Sequence, residues 1–229
     1  MTTPLNAAVP ASYLNGIVSI IASDATAGKV LVDTMAAAAA SATSPLFFGG
    51  GSAIDIAASS TDTVTKDLVV WLGQAVTVVG AATGTAATTA STVTRTTGDF
   101  VVDGWKPGEL VMMFNAFSAA RQATDGVLGT LTAVAATTLT VNGAPFSALT
   151  LTTGVRICRM SNQFRAPIPA NSGTNGTLPS VGLLNNTLDG GALRYEKKLA
   201  ANELLAVSAA TAVSALPAYI SVAAEVARY

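Results

Sequence analysis

From residue 53 onward, apolar residues recur at every second position in short runs separated by Gly, Pro, Asn and Asp. That period of two restricts the chain to antiparallel β-sheet, because alternate side chains of a strand point to opposite faces. In Ala53-Ile54-Asp55-Ile56-Ala57 two isoleucines share a face, and in Thr138-Leu139-Thr140-Val141 Leu139 and Val141 oppose Thr138 and Thr140. Leu149 and Leu151 repeat the alternation. Near the C-terminus Ile220, Val222 and Val226 face one way, with Tyr219, Ser221 and Glu225 opposite. Such strands pack one face on a core and show the other to solvent or a neighbour. The apolar residues are mostly small or β-branched, which suits a pleated surface.

Position along the chain suggests the architecture. Residues 1–52 read as an N-terminal arm or irregular region. Leu14–Ala22 and Lys29–Val32 are short strands, or a strand and a turn. Met35–Ala40 is either a short helix bounded by Pro45 and Gly49-Gly50-Gly51 or an extended arm on a neighbour. Val64–Leu72 ends in an apolar strand broken at Gly73, and the bland tract Gly80–Ser91 is a loop, an edge or a weakly packed strand. Thr92–Thr96, Leu110–Phe114, the hairpin of Val127–Val134 with Thr138–Val141, Leu149–Leu151 and Val155–Met160 make a tight cycle of short strands. Such a cycle is the pattern of a small barrel. Residues 161–192 are an Asn-, Gly- and Pro-rich loop, after which Glu203–Ala209 and Ala218–Ala227 return to long strands. The expected fold is therefore all-β: a β-sandwich from residues 53–75 plus 161–229, with residues 76–160 inserted as a small β-barrel. Two domains in tandem are the alternative.

Charge narrows the function. Only 11% of residues are charged, against about 25% in ordinary soluble domains. A chain this poor in charge is expected to cover much of its surface with neighbours. Net charge is −1 with no basic stripe, so no nucleic-acid partner is expected. There is no histidine, which removes the commonest general base and the commonest metal ligand together. The single Cys158, in Val155-Arg156-Ile157-Cys158-Arg159-Met160, reads as a small core residue, although two flanking arginines could activate it. Met1–Asn6 carries no positive charge before the first apolar run and does not read as a secretory signal. No apolar stretch approaches the ~20 residues of a membrane span. A soluble chain made in the cytoplasm, with no membrane partner, is expected.

Candidate chemistry concentrates in Gly98–Glu109, where Asp99, Asp103 and Glu109 surround Trp105 and Lys106. Paired carboxylates beside an aromatic ring could act on a sugar as acid and nucleophile. The competing reading is a braced turn: Asp-Gly and Pro-Gly make turns, aspartate caps backbone amides, and Trp105 plugs the barrel. Gly49-Gly50-Gly51-Ser52 lacks the lysine of a phosphate loop and opens onto a strand. Asn175-Gly176-Thr177 and Asn185-Asn186-Thr187 match the glycosylation pattern without a secretory route to use it. Asp62 and Asp67 bracket Lys66 at a spacing that is not a calcium loop. No serine has a histidine or a Ser-x-x-Lys lysine to activate it. The expectation is a non-enzymatic chain with no catalytic residue, cofactor or metal.

Two stretches carry a resemblance. Ile168-Pro169-Ala170-Asn171-Ser172-Gly173-Thr174, Val181-Gly182-Leu183-Leu184, Leu199-Ala200-Ala201-Asn202-Glu203-Leu204 and Ile220-Ser221-Val222 to Tyr229 resemble the C-terminal part of tailed-bacteriophage virion proteins. The likeness is greatest to head decoration (cement) proteins. Gly98-Asp99-Phe100, Asp103-Gly104-Trp105, Leu131-Thr132-Ala133-Val134 and Thr138-Leu139-Thr140-Val141 resemble a small β module of phage structural proteins. Residues 1–50 carry no such resemblance. What it implies is a jelly-roll-like sandwich on the capsid exterior, bound to the major capsid protein, as a homotrimer. A tail or fibre-base component, and a carbohydrate-binding or depolymerising module centred on Trp105, Asp99 and Asp103, are the alternatives.

Overall fold

The computed structural model describes residues 12–33, 51–79, 84–115, 123–151, 155–173, 181–183, 197–200 and 202–228. Met35–Ala40, the glycosylation-pattern asparagines and most of the loop before residue 197 lie outside the described residues. Those described form an all-β sandwich with no α-helix; one 3-10 turn spans Ala22–Asp24.

The smaller sheet is built from β1 (Ser12–Ile21), β3 (Gly51–Ser60), β12 (Val181–Gly182), β13 (Lys197–Leu199) and β15 (Tyr219–Arg228). Its order is β1-β15-β3-β12, with β13 also paired to β3. The larger sheet holds β2 (Lys29–Asp33), β4 (Lys66–Val79), β5 (Ala86–Thr88), β6 (Thr92–Arg95), β7 (Leu110–Asn115), β8 (Gly129–Ala135), β9 (Thr138–Val141), β10 (Leu149–Leu151), β11 (Val155–Ile168) and β14 (Glu203–Ala209). It runs β10-β5-β6-β9-β8-β7-β11-β4-β14-β2. The pairings between its named strands are antiparallel.

Alternation places the cores. Ile56, Ile220 and Val222 of the smaller sheet meet Leu68, Val70 and Val207 of the larger one, all at most 1% exposed. At the other end of the larger sheet, Val93, Phe100, Leu131, Leu139 and Ile157 enclose a second core that includes Trp105. Among the described residues β10 pairs with β5 alone, so this half is a curled sheet around its own core, with no ladder joining β10 to β4. A third cluster, with Trp71, Met112, Cys158 and Leu204, lies on the opposite face of β4, β7, β11 and β14.

Two expectations fail at the join. Gly73 does not end a strand: β4 runs through it to Val79, and a Cβ there would come within 2.9 Å of both Leu204 Cδ1 and Met160 Sδ. The glycine is the space into which two core side chains pack. Likewise β11 continues past Met160 to Ile168, where residues 161–168 were expected to be loop. The expected boundaries at 75/76 and 160/161 therefore fall inside two continuous strands of 14 residues each. Irregularities in their register lie at Val76, unpaired between Ala75 and Thr77, and at Gln163. Each bulge shifts the alternation by one residue, so that the inward positions of β4 change from Leu68 and Val70 at the first core to Thr77 and Val79 at the second.

The turn after β3 is fastened by Asp62, which is fully buried. Its Oδ1 accepts from Val64 N (3.0 Å) and Ser214 Oγ (2.9 Å), its Oδ2 from Ser214 N (2.8 Å). Lys66 Nζ stands 3.8 Å from Oδ2, and Asn171 N donates to the Asp62 carbonyl at 2.9 Å. One carboxylate thus ties the β3–β4 turn to the segment before β15. Asp62 and Lys66 form an internal staple.

Candidate functional site: the turn between Gly98 and Glu109

This turn caps the second core. Trp105 is 3% exposed, and its Nε1 donates to Thr77 Oγ1 at 3.0 Å. The Thr77 hydroxyl donates in turn to Asp103 Oδ2 at 2.5 Å, and Arg95 Nη1 donates to the same oxygen at 2.8 Å. The Arg95 guanidinium lies 4.2 Å from the Phe100 ring centroid, a cation over an aromatic face in a desolvated setting. A buried indole N–H, a hydroxyl, a carboxylate and a guanidinium form one hydrogen-bonded chain.

The other two carboxylates are also engaged. Asp99 Oδ1 accepts from Val101 N (2.7 Å) and Val102 N (3.3 Å), the capping role of an aspartate that opens a turn. Glu109 Oε2 accepts from Lys106 N at 3.0 Å. Glu109 Oε1 forms an ion pair with Arg159 at 2.9 Å, although the Nε–H is not aimed along that line. Arg159 Nη2 donates to the Gly104 carbonyl at 2.8 Å, and its guanidinium sits 5.3 Å from the Trp105 ring. The arrangement is a braced turn, with Trp105 as the plug of the core beneath it. Its ring is closed to a stacking sugar, and each carboxylate is committed to an amide, a hydroxyl or a guanidinium. Thr77, Arg95 and Arg159 were not singled out from the sequence. The available signal was Arg95 itself, a guanidinium at the position of β6 that alternates inward with Val93. Such a residue demands a carboxylate partner.

Asp103→Ala is expected to cost about 2 kcal/mol, since it strands the buried Arg95 guanidinium and the Thr77 hydroxyl. Chemical denaturation of wild type and variant measures it, and an unchanged midpoint would remove the bracing role.

Cys158 is wholly buried, and burial pushes its thiol up to about 12, against a lesser opposing pull from Arg156. Arg156 beside it is buried too, and desolvation lowers its guanidinium below the ordinary value. The folded thiol keeps its proton far above the ordinary value of 9.0, so stability from this group is complete below that pH and falls as pH rises toward 12. A thiol reagent at pH 8 should label the native protein only as fast as it opens, and stoichiometric labelling within the mixing time would contradict the burial.

Elsewhere, a cavity of about 840 Å³ lies between Ser23–Ala27 and Val127–Leu128. Its charged lining groups, Asp24 and Lys29, are paired with each other at 2.7 Å. Among the described residues no cluster of three metal-ligating side chains exists, and no helix is long and apolar enough to cross a membrane. No protein-family model matches the chain, and neither the curated proteins nor the solved structures contain a match.

Proposed function

We propose that this chain is a structural protein of a tailed-bacteriophage virion, a decoration (cement) protein that binds the outside of the assembled capsid and stabilises it. Its partners are the major capsid protein and further copies of itself, with the homotrimer and jelly-roll-like form that the resemblance implies. One observation carries the reading: a chain with 11% charged residues leaves large apolar side chains in the open at several separate places. Ile17 is 68% exposed, Val64 55%, Val102 81% and Leu216 74%. Val64, Leu216 and Tyr219 gather at the end of the sandwich fastened by Asp62, where Thr61 bonds the Tyr219 backbone. Where exposed apolar side chains lie together, as at that end, contact with a neighbour completes the surface. A shell under internal pressure is held by proteins that bury surface across subunit boundaries, and many weak contacts act together.

A tail or fibre-base location is the second reading, favoured by the same exposed residues. The glycan module has less support, because Trp105 and its neighbouring carboxylates are turned into the protein. Purified chain added to undecorated shells should co-sediment with them and raise the temperature at which they rupture. Binding confined to tails moves the assignment to the tail; binding to neither ends both readings.

A further inference from the structure

The backbone of β1 shows which of its polar groups look outward. Tyr219 sits opposite Ile21 in the β1–β15 ladder. The Tyr219 carbonyl accepts from Thr61 N at 3.0 Å, and its N–H donates to Thr61 Oγ1 at 2.9 Å. Both groups therefore turn away from β1. In an antiparallel ladder opposite residues either exchange both bonds or neither, so Ile21 also turns its backbone away from β15. Its N–H indeed donates to Asp24 Oδ2 at 2.7 Å. Alternation then assigns the outward groups of β1 to Tyr13, Asn15, Ile17, Ser19 and Ile21.

One end of this edge is closed. The Ser19 carbonyl accepts from Lys29 Nζ at 2.7 Å, and Lys29 is held by Asp24. Among the described residues β1 is the last strand of its sheet on that side, so the outward groups from Tyr13 to Ile17 lie beyond the ladder with β15. Sheet edges are normally guarded by charge or proline. Ser12–Val18 contains neither, and Ile17 within it is 68% exposed.

We propose that this open stretch pairs antiparallel with β1 of a second copy about a two-fold axis at Asn15. The occupant follows from self-complementarity. Outward-facing residues must meet outward-facing residues, and an axis at Asn15 pairs the three open ones among themselves, Asn15 with Asn15 of the second copy and Tyr13 with Ile17. An uncharged strand brings no like charges together across the axis. A register centred on Ile17 would need the outward groups of Ser19 and Ile21, which Lys29 and Asp24 already occupy. The smaller sheet would then run unbroken through two chains. The proposal deepens only the self-association in the reading above: on a shell, trimers joined pairwise through β1 would form a cage.

Sedimentation equilibrium tests it. The wild-type mass should be an even multiple of the 22.9 kDa chain. Asn15→Pro removes an N–H that turns away from β15, and should halve that mass. Asn15→Asp sets two carboxylates face to face and should do the same, deciding the matter if the proline variant does not fold. A wild-type mass of one chain or an odd multiple, or a mass that folded Asn15→Asp leaves unchanged, overturns the pairing. Co-sedimentation of the same samples with shells separates the two readings. Even mass without shell binding removes only the capsid assignment, and shell binding by an odd-numbered species removes only this pairing.

Discussion

Gly126→Ala is expected to lower stability by about 3–4 kcal/mol and Tm by on the order of 10 °C. Gly126 has φ +73, and a Cβ there would lie 1.9 Å from the Gly28 carbonyl oxygen. That contact is backbone against backbone and no rotamer relieves it. The two segments must separate, which breaks the 2.8 Å bonds from Gly28 N to the Gly126 carbonyl and from Gly126 N to the Met113 carbonyl. It also uncovers Met112, now fully buried. Gly28→Ala is the control on the other side of the same contact. Its Cβ would meet the Met112 sulfur at 3.1 Å, and a thioether side chain can move, so a cost of about 1 kcal/mol is expected. Equal losses in the two variants would show that the close approach is not what Gly126 provides.

Asp62→Asn should cost about 3 kcal/mol despite its near-identical shape. Both carboxylate oxygens face donors, from Val64 and Ser214. An amide presents only one acceptor oxygen, so one buried N–H or O–H must face an NH₂ group. Burial by itself would raise the Asp62 carboxyl. The amides of Ser214 and Val64, the Ser214 hydroxyl and the Lys66 charge together outweigh it and hold the carboxyl below the ordinary 3.8. A depressed folded pKa gives stability that is complete above 3.8 and lost as pH falls below it. Wild type should therefore lose stability steeply on acidification through that range, and the asparagine variant much less. Parallel acid limbs in the two proteins would contradict the role.

Much of this was legible because period-two alternation is a local signal. The inward positions Ile56 of β3, Leu139 and Val141 of β9, and Ile220 and Val222 of β15 follow from the alternation without knowledge of their partners. The through-running of β4 and β11 was not legible. Gly73 and Pro167 read as breakers when taken alone, and their tolerance depends on Met160 and Leu204 for the first and on a place near the strand end for the second. The bulges near Val76 and Gln163 change which residues face inward, and a change of phase in the sequence looks like a domain boundary. In the turn, the capping by Asp99 and the burial of Trp105 followed from turn chemistry. Arg95 and Thr77 did not, because Thr77 reaches Asp103 and Trp105 across 26 and 28 residues and Arg95 reaches Asp103 across 8, and no spacing rule covers either.

The shared pair of strands has a mechanical consequence. Where two domains meet at a linker, a pull on one swings it about a hinge before any bond in the other is strained. Here β4 and β11 are continuous covalent rods lining both cores side by side. A tug at the solvent tip, Val101–Val102, would be passed along their length as shear. Hydrogen bonds loaded in shear resist together, whereas those opened from one end yield one after another.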